Sequence, residues 1–527
     1  MSSMRTVFAL VVRLIRRGTA ILAILLGAYF ALRVAQYLAT YPDAESRAVL
    51  MQFDTPAVRM LQGAPRGIDT PGGFTVWDGG YIAQAVTAVW VILLTTRLLR
   101  GEEESGRNEL VLAGPVRPGR AVATTLAVIG LACMLLGVVT ALSLALSRTG
   151  TTDSVLYGAA LAGFTATCAG IAAVAAQIHA ERRRAVQLAS SVFAATYLIR
   201  VAASSTDERA WLGWATPFGW VDQLHVYAGA RWYPLIPLLV APFLLGAAAV
   251  LLRTHRDEGV GTVATEEHRK ADLRWLGSPT ALAWRGSRGV LAGWAVGLGS
   301  YAFLIGALLQ SMVDFLNDDP NYRRVLAQIG MDMTHPDGFV AAMATMMGIG
   351  FALYACWRMG SARAEEDSAR VENILVRPVP RSRWLGGQIV LTMTCTAALA
   401  TFCGVAIWAG AQLTGAEVSL VHALQSMLNT LPAAAACGGL AVALFGLLPR
   451  LTVAGSAGAT VIVVIVQMIG PPLGWPGWVV DLSPFHHLAM VPAEAFAVVP
   501  ALVLLAVAAV MALGGMLAFA RRDLVGA

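Results

Sequence analysis

Two stretches of the chain combine acidic and basic residues at spacings that could form ion pairs or bind a partner. They are residues 100–116, the first charged loop, and residues 363–379, the second charged loop, and more than half of their aligned positions are identical. A glutamate four residues before an arginine is the favourable order for an ion pair on a helix, and a proline ends a helix. The pattern therefore predicts a short charged helix in each loop, which is either a solvated hairpin or a surface that binds a partner. The candidate residues are Glu103, Glu104, Arg107, Glu109, Leu112 and Pro115 in the first loop, with Glu103 paired to Arg107, and Glu366, Asp367, Arg370, Glu372, Leu375 and Pro378 in the second, with Glu366 paired to Arg370.

Other residue types that could perform chemistry are sparse. The sequence has one lysine, Lys270, outside any glycine-rich loop, whereas a P-loop needs G-x-x-x-x-G-K-[ST] to bind phosphates. The six cysteines form no C-x-x-C pair, so neither a zinc site nor a disulfide framework is predicted. Asp318, Asp319, His486 and His487 are the remaining candidates for the site of a membrane-embedded enzyme. A turn explains the two aspartates more simply than catalysis does, and a position at the membrane interface explains the two histidines. We predict no catalytic residue, metal or cofactor in this chain.

The elements that carry the charged loops are apolar. Of the 527 residues 57% are apolar and 13% are charged, against about 25% charged in soluble proteins. Twelve apolar runs, from 19–39 to 495–519, have the roughly 20 residues that a helix needs to cross a bilayer. The sequence therefore predicts an all-α polytopic membrane protein with twelve transmembrane helices, and it excludes a soluble enzyme, a disordered protein and a secreted disulfide scaffold.

The distribution of charge predicts the orientation. Lysine and arginine concentrate in the even-numbered connections and at the ends of the chain, and cytoplasmic segments are the ones enriched in these residues. We expect a plasma-membrane protein with both termini in the cytoplasm, so the net charge of +6 reflects topology and not binding to nucleic acid. The basic and apolar residues 1–18 predict an amphipathic helix in the inner interface, in contact with lipid.

The two charged loops belong to an internal repeat with an offset of about 265 residues. In the same register, Pro71 and Phe74 match Pro336 and Phe339 ahead of the second and eighth spans. We predict a first six-span half at residues 1–252, a cytoplasmic linker at 253–276 and a second six-span half at 277–527. Because each half has six spans, the two repeats share one orientation.

The repeated pattern E-x-x-x-[GA]-x-x-E-x-x-L-x-x-P-[VI] resembles the coupling region of type-2 ABC exporter permeases. The fused twelve-span form is similar to actinobacterial exporters of the tetronasin and polyketide-antibiotic type and to their multidrug relatives. The resemblance implies cytoplasmic coupling helices that dock on two ABC ATPase subunits, expected to be a homodimer, which bind ATP and Mg. It also implies export of amphiphilic drugs or antibiotics. The second loop departs from the first by having Ala364 and Ala369 in place of Gly101 and Gly106.

Polar side chains and flexible, polarisable methionines within the spans indicate where a substrate could pass. The candidates are Arg200, Gln467, Tyr197, Met343, Met346 and Met347. Arg200 and Gln467 occupy matching positions in the fifth and eleventh spans, although an arginine extending to the outer interface explains Arg200 equally well. The alternative function is a proton-coupled secondary multidrug transporter. It is the weaker hypothesis because proton coupling needs carboxylates within the membrane, and no aspartate or glutamate lies in the central part of a candidate span.

Overall fold

The chain is mostly helical in the computed structural model, which describes residues 2–48, 50, 58–59, 62–114, 116–204, 207–257, 259–262, 277–318, 335–367, 370–376, 378–469 and 475–523. Within these ranges, twelve helices are long and apolar enough to cross a membrane. The prediction of an all-α, multi-pass membrane protein is confirmed. We number the twelve spans α1 to α12 in chain order.

The first compact unit, Met1–Arg269, contains the first six spans. They are α1 (Ser2–Thr40), α2 (Pro71–Thr96), α3 (Pro118–Leu146), α4 (Thr151–Ile178), α5 (Arg182–Ala203) and α6 (Leu235–Thr254). A π-helical turn, Arg97–Gly101, extends α2 to the short helix Glu102–Glu104. Shorter elements are Ala44–Ala48, Arg107–Leu112, the 3-10 helix Asp207–Ala215 and Pro217–Asp222.

The second compact unit, Lys270–Ala527, contains the other six spans. They are α7 (Pro279–Asp318), α8 (Pro336–Asp367), α9 (Arg381–Leu413), α10 (Leu420–Leu428 and Leu431–Leu447), α11 (Thr452–Ile469) and α12 (Val498–Arg521). Shorter elements are Arg370–Leu375, the 3-10 helix Pro449–Leu451 and Gly477–Val480. The predicted linker falls largely on residues 263–276, which lie outside the described residues.

Each unit is built around its fourth span. In the first unit α4 packs against α2, α3, α5 and α6, and in the second unit α10 packs against α8, α9, α11 and α12. Small residues permit this, because apolar helices in a membrane associate through close backbone contact. At Gly137 of α3 and Gly158 of α4, a Cβ atom on either residue would collide with the carbonyl oxygen of the other.

The amphipathic N-terminal segment is not a separate element. Residues 2–18 continue without a break into the first span and form the beginning of α1. Val7, Val11 and Ile15 of this segment are buried in the core of the first unit. The arginines between them interrupt the apolar run in the sequence but not the helix, because arginine has good helix propensity.

Six spans give each unit two distinct ends. The connections after the second, fourth and sixth spans meet at one end, which we call the charged-loop end. The connections after the first, third and fifth spans meet at the opposite end, where Pro217–Asp222 lies in the first unit and Gly477–Val480 in the second.

Candidate functional site

The first charged loop contains a sharp turn within the region predicted to be one helix. Gly106 has a φ of 72°, a left-handed conformation that glycine adopts at little cost, and the helix Arg107–Leu112 begins directly after it. The turn removes Arg107 from the helical face of Glu103, so the predicted pair of these two residues is wrong. Arg107 instead donates from Nε to Oε2 of Glu102 at 2.6 Å.

Glu103 is buried and is held by an arginine that lies far from it in the sequence, after the last span of the first unit. Arg256, just after α6, donates from Nη1 and Nη2 to the two carboxylate oxygens of Glu103 at 2.8 and 2.7 Å. The backbone N–H of Gly259 donates to Oε1 at 2.8 Å, and Nη1 of Arg100 lies 2.9 Å from Oε2. The three charged side chains are at most 4% exposed. We call Arg100, Glu103 and Arg256 the first clamp.

The first clamp also holds the end of α4. Arg256 donates from Nε to the side-chain oxygen of Gln177, near the last residue of α4, at 3.0 Å. Arg100 donates to the carbonyl oxygens of Ala180 and Gly259. Thr262 donates through its hydroxyl to the carbonyl oxygen of Gln177 at 3.0 Å. The chain after α6 therefore folds across the ends of α2 and α4.

The second charged loop has the same arrangement. Arg522, just after α12, donates from Nη1 and Nη2 to the two oxygens of Glu366 at 2.7 and 2.8 Å. Arg363 lies 3.0 Å from Oε2 of the same carboxylate, and Glu366 is 1% exposed. The guanidinium of Arg522 lies over the rings of Phe445 and Phe519, at 5.4 and 5.2 Å from their centroids. We call Arg363, Glu366 and Arg522 the second clamp.

Three charged candidates in each loop are exposed. The exposed candidates are Glu104, Arg107 and Glu109 in the first loop and Asp367, Arg370 and Glu372 in the second. The last two of each set lie on helices of equal length, Arg107–Leu112 and Arg370–Leu375. Pro378 follows the second of these helices, whereas Pro115 lies outside the described residues. Each loop therefore presents charges to its surroundings above a buried clamp.

Comparison with known proteins assigns the family. A sequence model of the family described as the multidrug efflux system permease Rv1217c, C-terminal domain, matches residues 4–253 and 276–520. The chain is 31% identical over 495 residues to the multidrug efflux system permease protein Rv1217c of Mycobacterium tuberculosis (strain ATCC 25618 / H37Rv), which covers 93% of this chain and 89% of that relative. The chain belongs to this family. The predicted resemblance to multidrug exporter permeases is confirmed.

At the opposite end of the permease's first unit, Arg200 is an internal ion-pair partner. Its Nε donates to Oδ2 of Asp222 at 3.0 Å, and its Nη2 bonds to the hydroxyl of Tyr81. The side chain of Arg200 is 1% exposed, so it does not extend to an interface. Tyr197 packs edge-on against Phe218 with ring centroids 5.4 Å apart. This ion pair fixes the helix Pro217–Asp222 to the end of α5.

A cavity of about 500 Å³ lies beside this ion pair. Its lining includes Arg59, Arg66, Arg200, Asp222 and His225. Partial burial, reinforced by the nearby cations Arg66 and Arg231, lowers the pKa of His225 to about 4. The lowered pKa keeps this imidazole neutral in mild acid, where an ordinary histidine would be protonated.

The candidates in the second unit lie in less charged surroundings. Gln467 of α11 accepts a hydrogen bond from the hydroxyl of Ser483 at 2.7 Å, which links α11 to the segment that follows it, as Arg200 links α5 to Asp222. Met347 is buried, whereas Met343 and Met346 are partly buried on α8. The structure places these methionines on one helix, which packs against α11.

Sequence reasoning missed the arginines that follow the last span of each unit. Arg256 and Arg522 occupy comparable places after α6 and α12, and this shared position was the signal that could have revealed them. It also missed Arg358 of α8, which is 1% exposed and donates to the side-chain oxygen of Gln388 at 2.8 Å. Gln388 in turn donates to Glu365 in the second charged loop at 3.3 Å.

Proposed function

We propose that this permease is the membrane subunit of an ATP-driven exporter that moves amphiphilic drugs or antibiotics out of the cell. ATP hydrolysis takes place on two separate ABC ATPase subunits, which supply the ATP and Mg sites. Family membership supports the role in efflux. The lack of a P-loop in the sequence supports the placement of ATP hydrolysis on other polypeptides.

The observation that carries this proposal is the repeated combination of an exposed charged surface and a buried clamp. A solvated hairpin has no physical need of a buried carboxylate held by two arginines, because such a group is costly to desolvate. A loop that receives force from a partner does need a rigid attachment to the spans. Glu109 and Glu372 are the matched exposed acidic residues through which each loop would contact one ATPase subunit.

We place the charged-loop end of each unit in the cytoplasm. Three successive arginines, residues 182–184, lie at this end of the first unit, and Arg381, Arg383 and Arg522 lie at this end of the second. Cytoplasmic connections carry the excess of arginine and lysine in membrane proteins. Both chain termini are then cytoplasmic, where soluble ATPase subunits can reach the loops.

The buried carboxylates favour this proposal over a proton-coupled transporter. Among the residues that the structure describes, Glu103 and Glu366 are the buried acidic side chains, and both are paired with two arginines at the charged-loop end. A proton carrier has to be protonated and released during transport, and a carboxylate between two guanidinium groups resists protonation. Alternating access would instead be powered by closure of the ATPase subunits.

Each unit has a cavity towards the end that we place outside the cell, and the two linings differ in charge. The cavity beside Arg200 is rich in arginine, whereas a cavity of about 580 Å³ in the second unit is lined mainly by apolar residues, including Cys437, Leu504 and Met511. We assign Arg200, Tyr197, Gln467, Met343, Met346 and Met347 to the substrate pathway. Arg200 would act there by fixing the cavity wall.

Co-purification tests this function. The tagged permease should retain a P-loop ATPase from its native membrane, and the purified complex should hydrolyse ATP faster when an amphiphilic drug is added. The permease alone should have no ATPase activity. Hydrolysis by the isolated chain, or a chain that exports drug with no ATPase bound, would contradict the proposal.

A further inference from the structure

The two clamps connect parts of the chain that are far apart in the sequence. Glu103 and Arg256 are separated by 153 residues, and Glu366 and Arg522 by 156 residues. Each pair joins the end of the second span of a unit to the first residues after its sixth span. The geometry in both units is bidentate, which fixes orientation as well as distance.

The first clamp is well placed to transmit displacement. α6 packs directly against the central helix α4, and Arg256 is bonded to both Glu103 and Gln177 of α4. A movement of the first charged loop that carries Glu103 therefore acts on the ends of α4 and α6 together. Without Arg256, the loop would lose its side-chain connection to Gln177 at the end of α4.

The second clamp reaches its central helix by a different contact. Arg522 donates from Nη2 to the carbonyl oxygen of Phe445 in α10 at 3.3 Å, and α12 packs against α10. Arg381 at the start of α9 donates from Nη1 to the carbonyl oxygen of Arg522 at 2.5 Å. The same mechanical connection is thus made with different supporting residues.

Protein stability alone is a weak explanation for the buried arginine–glutamate pairs of the two clamps. Replacing a buried ion pair by apolar residues of similar volume is often neutral or stabilising. The bidentate pair occurs in both units although the residues around it differ: Gln177 supports one clamp, and Phe445 and Phe519 support the other. A requirement that the second and sixth spans of each unit keep a fixed relative position accounts for both ion pairs.

We propose that Arg256 and Arg522 are positioning residues that couple each charged loop to the sixth span of its own half. The proposal rests on the proposed function, in which the loops receive closure of the ATPase subunits. It adds that the movement passes into α6 and α12 through one carboxylate in each half. Loss of the clamp should leave ATPase binding intact and uncouple hydrolysis from export.

Neutral variants test this in the complex of permease and ATPase in proteoliposomes. The variants are Glu103→Gln, Arg256→Gln and their combination, with Glu366→Gln, Arg522→Gln and their combination in the second half. Each single variant should retain the bound ATPase and raise the ATP consumed per exported drug molecule about ten-fold. Because each pair acts as one unit, the double variant should be no worse than the single variants. Unchanged coupling in the single variants, or additive losses in the double variant, would overturn the proposal.

Two exposed arginines at the same end provide matched controls. Arg120 and Arg383 lie in the first turn of α3 and α9 and take no part in either clamp. Arg120→Gln and Arg383→Gln remove one charge each, as the clamp variants do, and should leave the ratio of ATP to drug as it was. An equal rise in these controls would show that the effect comes from net charge, against the proposal.

Hydrogen exchange of the purified permease tests the clamp without any ATPase. The backbone N–H of Gly259 donates to Glu103, so its exchange should become about ten-fold faster in Glu103→Gln and in Arg256→Gln. Unchanged exchange would show that the clamp does not hold this segment. If no ATPase binds the wild-type chain, the proposed function fails, while this measurement still decides whether the clamp exists.

Discussion

Arg256 and Glu103 form two parallel hydrogen bonds, of 2.7 and 2.8 Å, between the end of α6 and the loop after α2. Arg522 and Glu366 repeat this contact in the second unit with the same two lengths. Each half of the permease thus has a closed connection between its second and sixth spans at the charged-loop end. The exposed glutamates of the loops are therefore the better target for tests of docking, because they can be changed without opening a clamp.

Reversal of the exposed acidic residues should disrupt ATPase docking. We expect Glu109→Arg and Glu372→Arg together to reduce the ATPase bound per permease by about ten-fold or more, since like charges across an interface cost several kcal/mol. The measurement is the stoichiometry of the purified complex at low and high salt. Wild-type stoichiometry in the combined variant would show that these residues do not face the ATPase.

Gly106→Ala should strain the first charged loop. The left-handed φ of 72° costs a residue with a Cβ atom about 1–2 kcal/mol, although the added methyl group would meet nothing within 4 Å. We expect faster hydrogen exchange in the helix Arg107–Leu112 and no change in the core of the spans. Gly277→Ala, at another glycine with open space around the added carbon, is the control. Equal exchange in wild type and Gly106→Ala would contradict the turn described here.

Arg200→Gln should destabilise the first unit. It removes the buried arginine that pairs with Asp222 and contacts Tyr81, and a hydrogen bond to a charged group contributes about 1.5–3 kcal/mol. Gln467→Ala breaks one neutral hydrogen bond to Ser483 and should cost about 0.5–1.5 kcal/mol. Thermal unfolding of the two variants in detergent measures the difference. A more stable Arg200→Gln protein would contradict the structural role of Arg200.

The arginine-rich cavity should discriminate by substrate charge. We expect Arg66→Gln, which changes an exposed residue of the cavity wall, to reduce export of an anionic amphiphile more than that of a cationic amphiphile of equal chain length. Arg148→Asn is the matched control, because it removes an arginine at the same end of the first unit, at a left-handed position that asparagine tolerates. Equal reductions for the two amphiphiles would exclude the cavity from the anion pathway.

His225 should make the permease less stable in mild acid. Its pKa is about 4 in the folded protein, below the ordinary value of 6.5, so the unfolded chain binds the proton more readily. The stability that this group contributes is present above pH 6.5 and is lost as the pH falls from 6.5 towards 4. In His225→Asn, which suits the φ of 48°, the fall of the melting temperature over this range should be smaller. An identical pH dependence would contradict the lowered pKa.

Hydropathy predicted the spans because a membrane helix is defined locally, by length and apolar composition. It could not show that residues 2–18 join α1, since a basic amphipathic segment is compatible with an interfacial helix and with the end of a long span. The packing of Val7 and Val11 into the core decides this, and packing depends on the neighbouring spans.

The clamps could not be derived from local spacing. The helical i, i+4 rule assigned Arg107 to Glu103, but it assumes an unbroken helix, and Gly106 breaks it. The true partner of Glu103 lies 153 residues away and is brought near by the packing of α6 on α4. In the same way, Arg200 resembled an interfacial arginine until the fold placed Asp222 beside it.

Drug uptake by inside-out membrane vesicles tests the central claim most directly. Vesicles that contain the permease and its ATPase should accumulate an amphiphilic drug when ATP and Mg are added, and a protonophore should not stop this accumulation. The combined Glu109→Arg and Glu372→Arg variant should abolish it while the permease is inserted at normal levels. Accumulation that needs no ATP and disappears with the protonophore would contradict the account and identify a proton-coupled transporter.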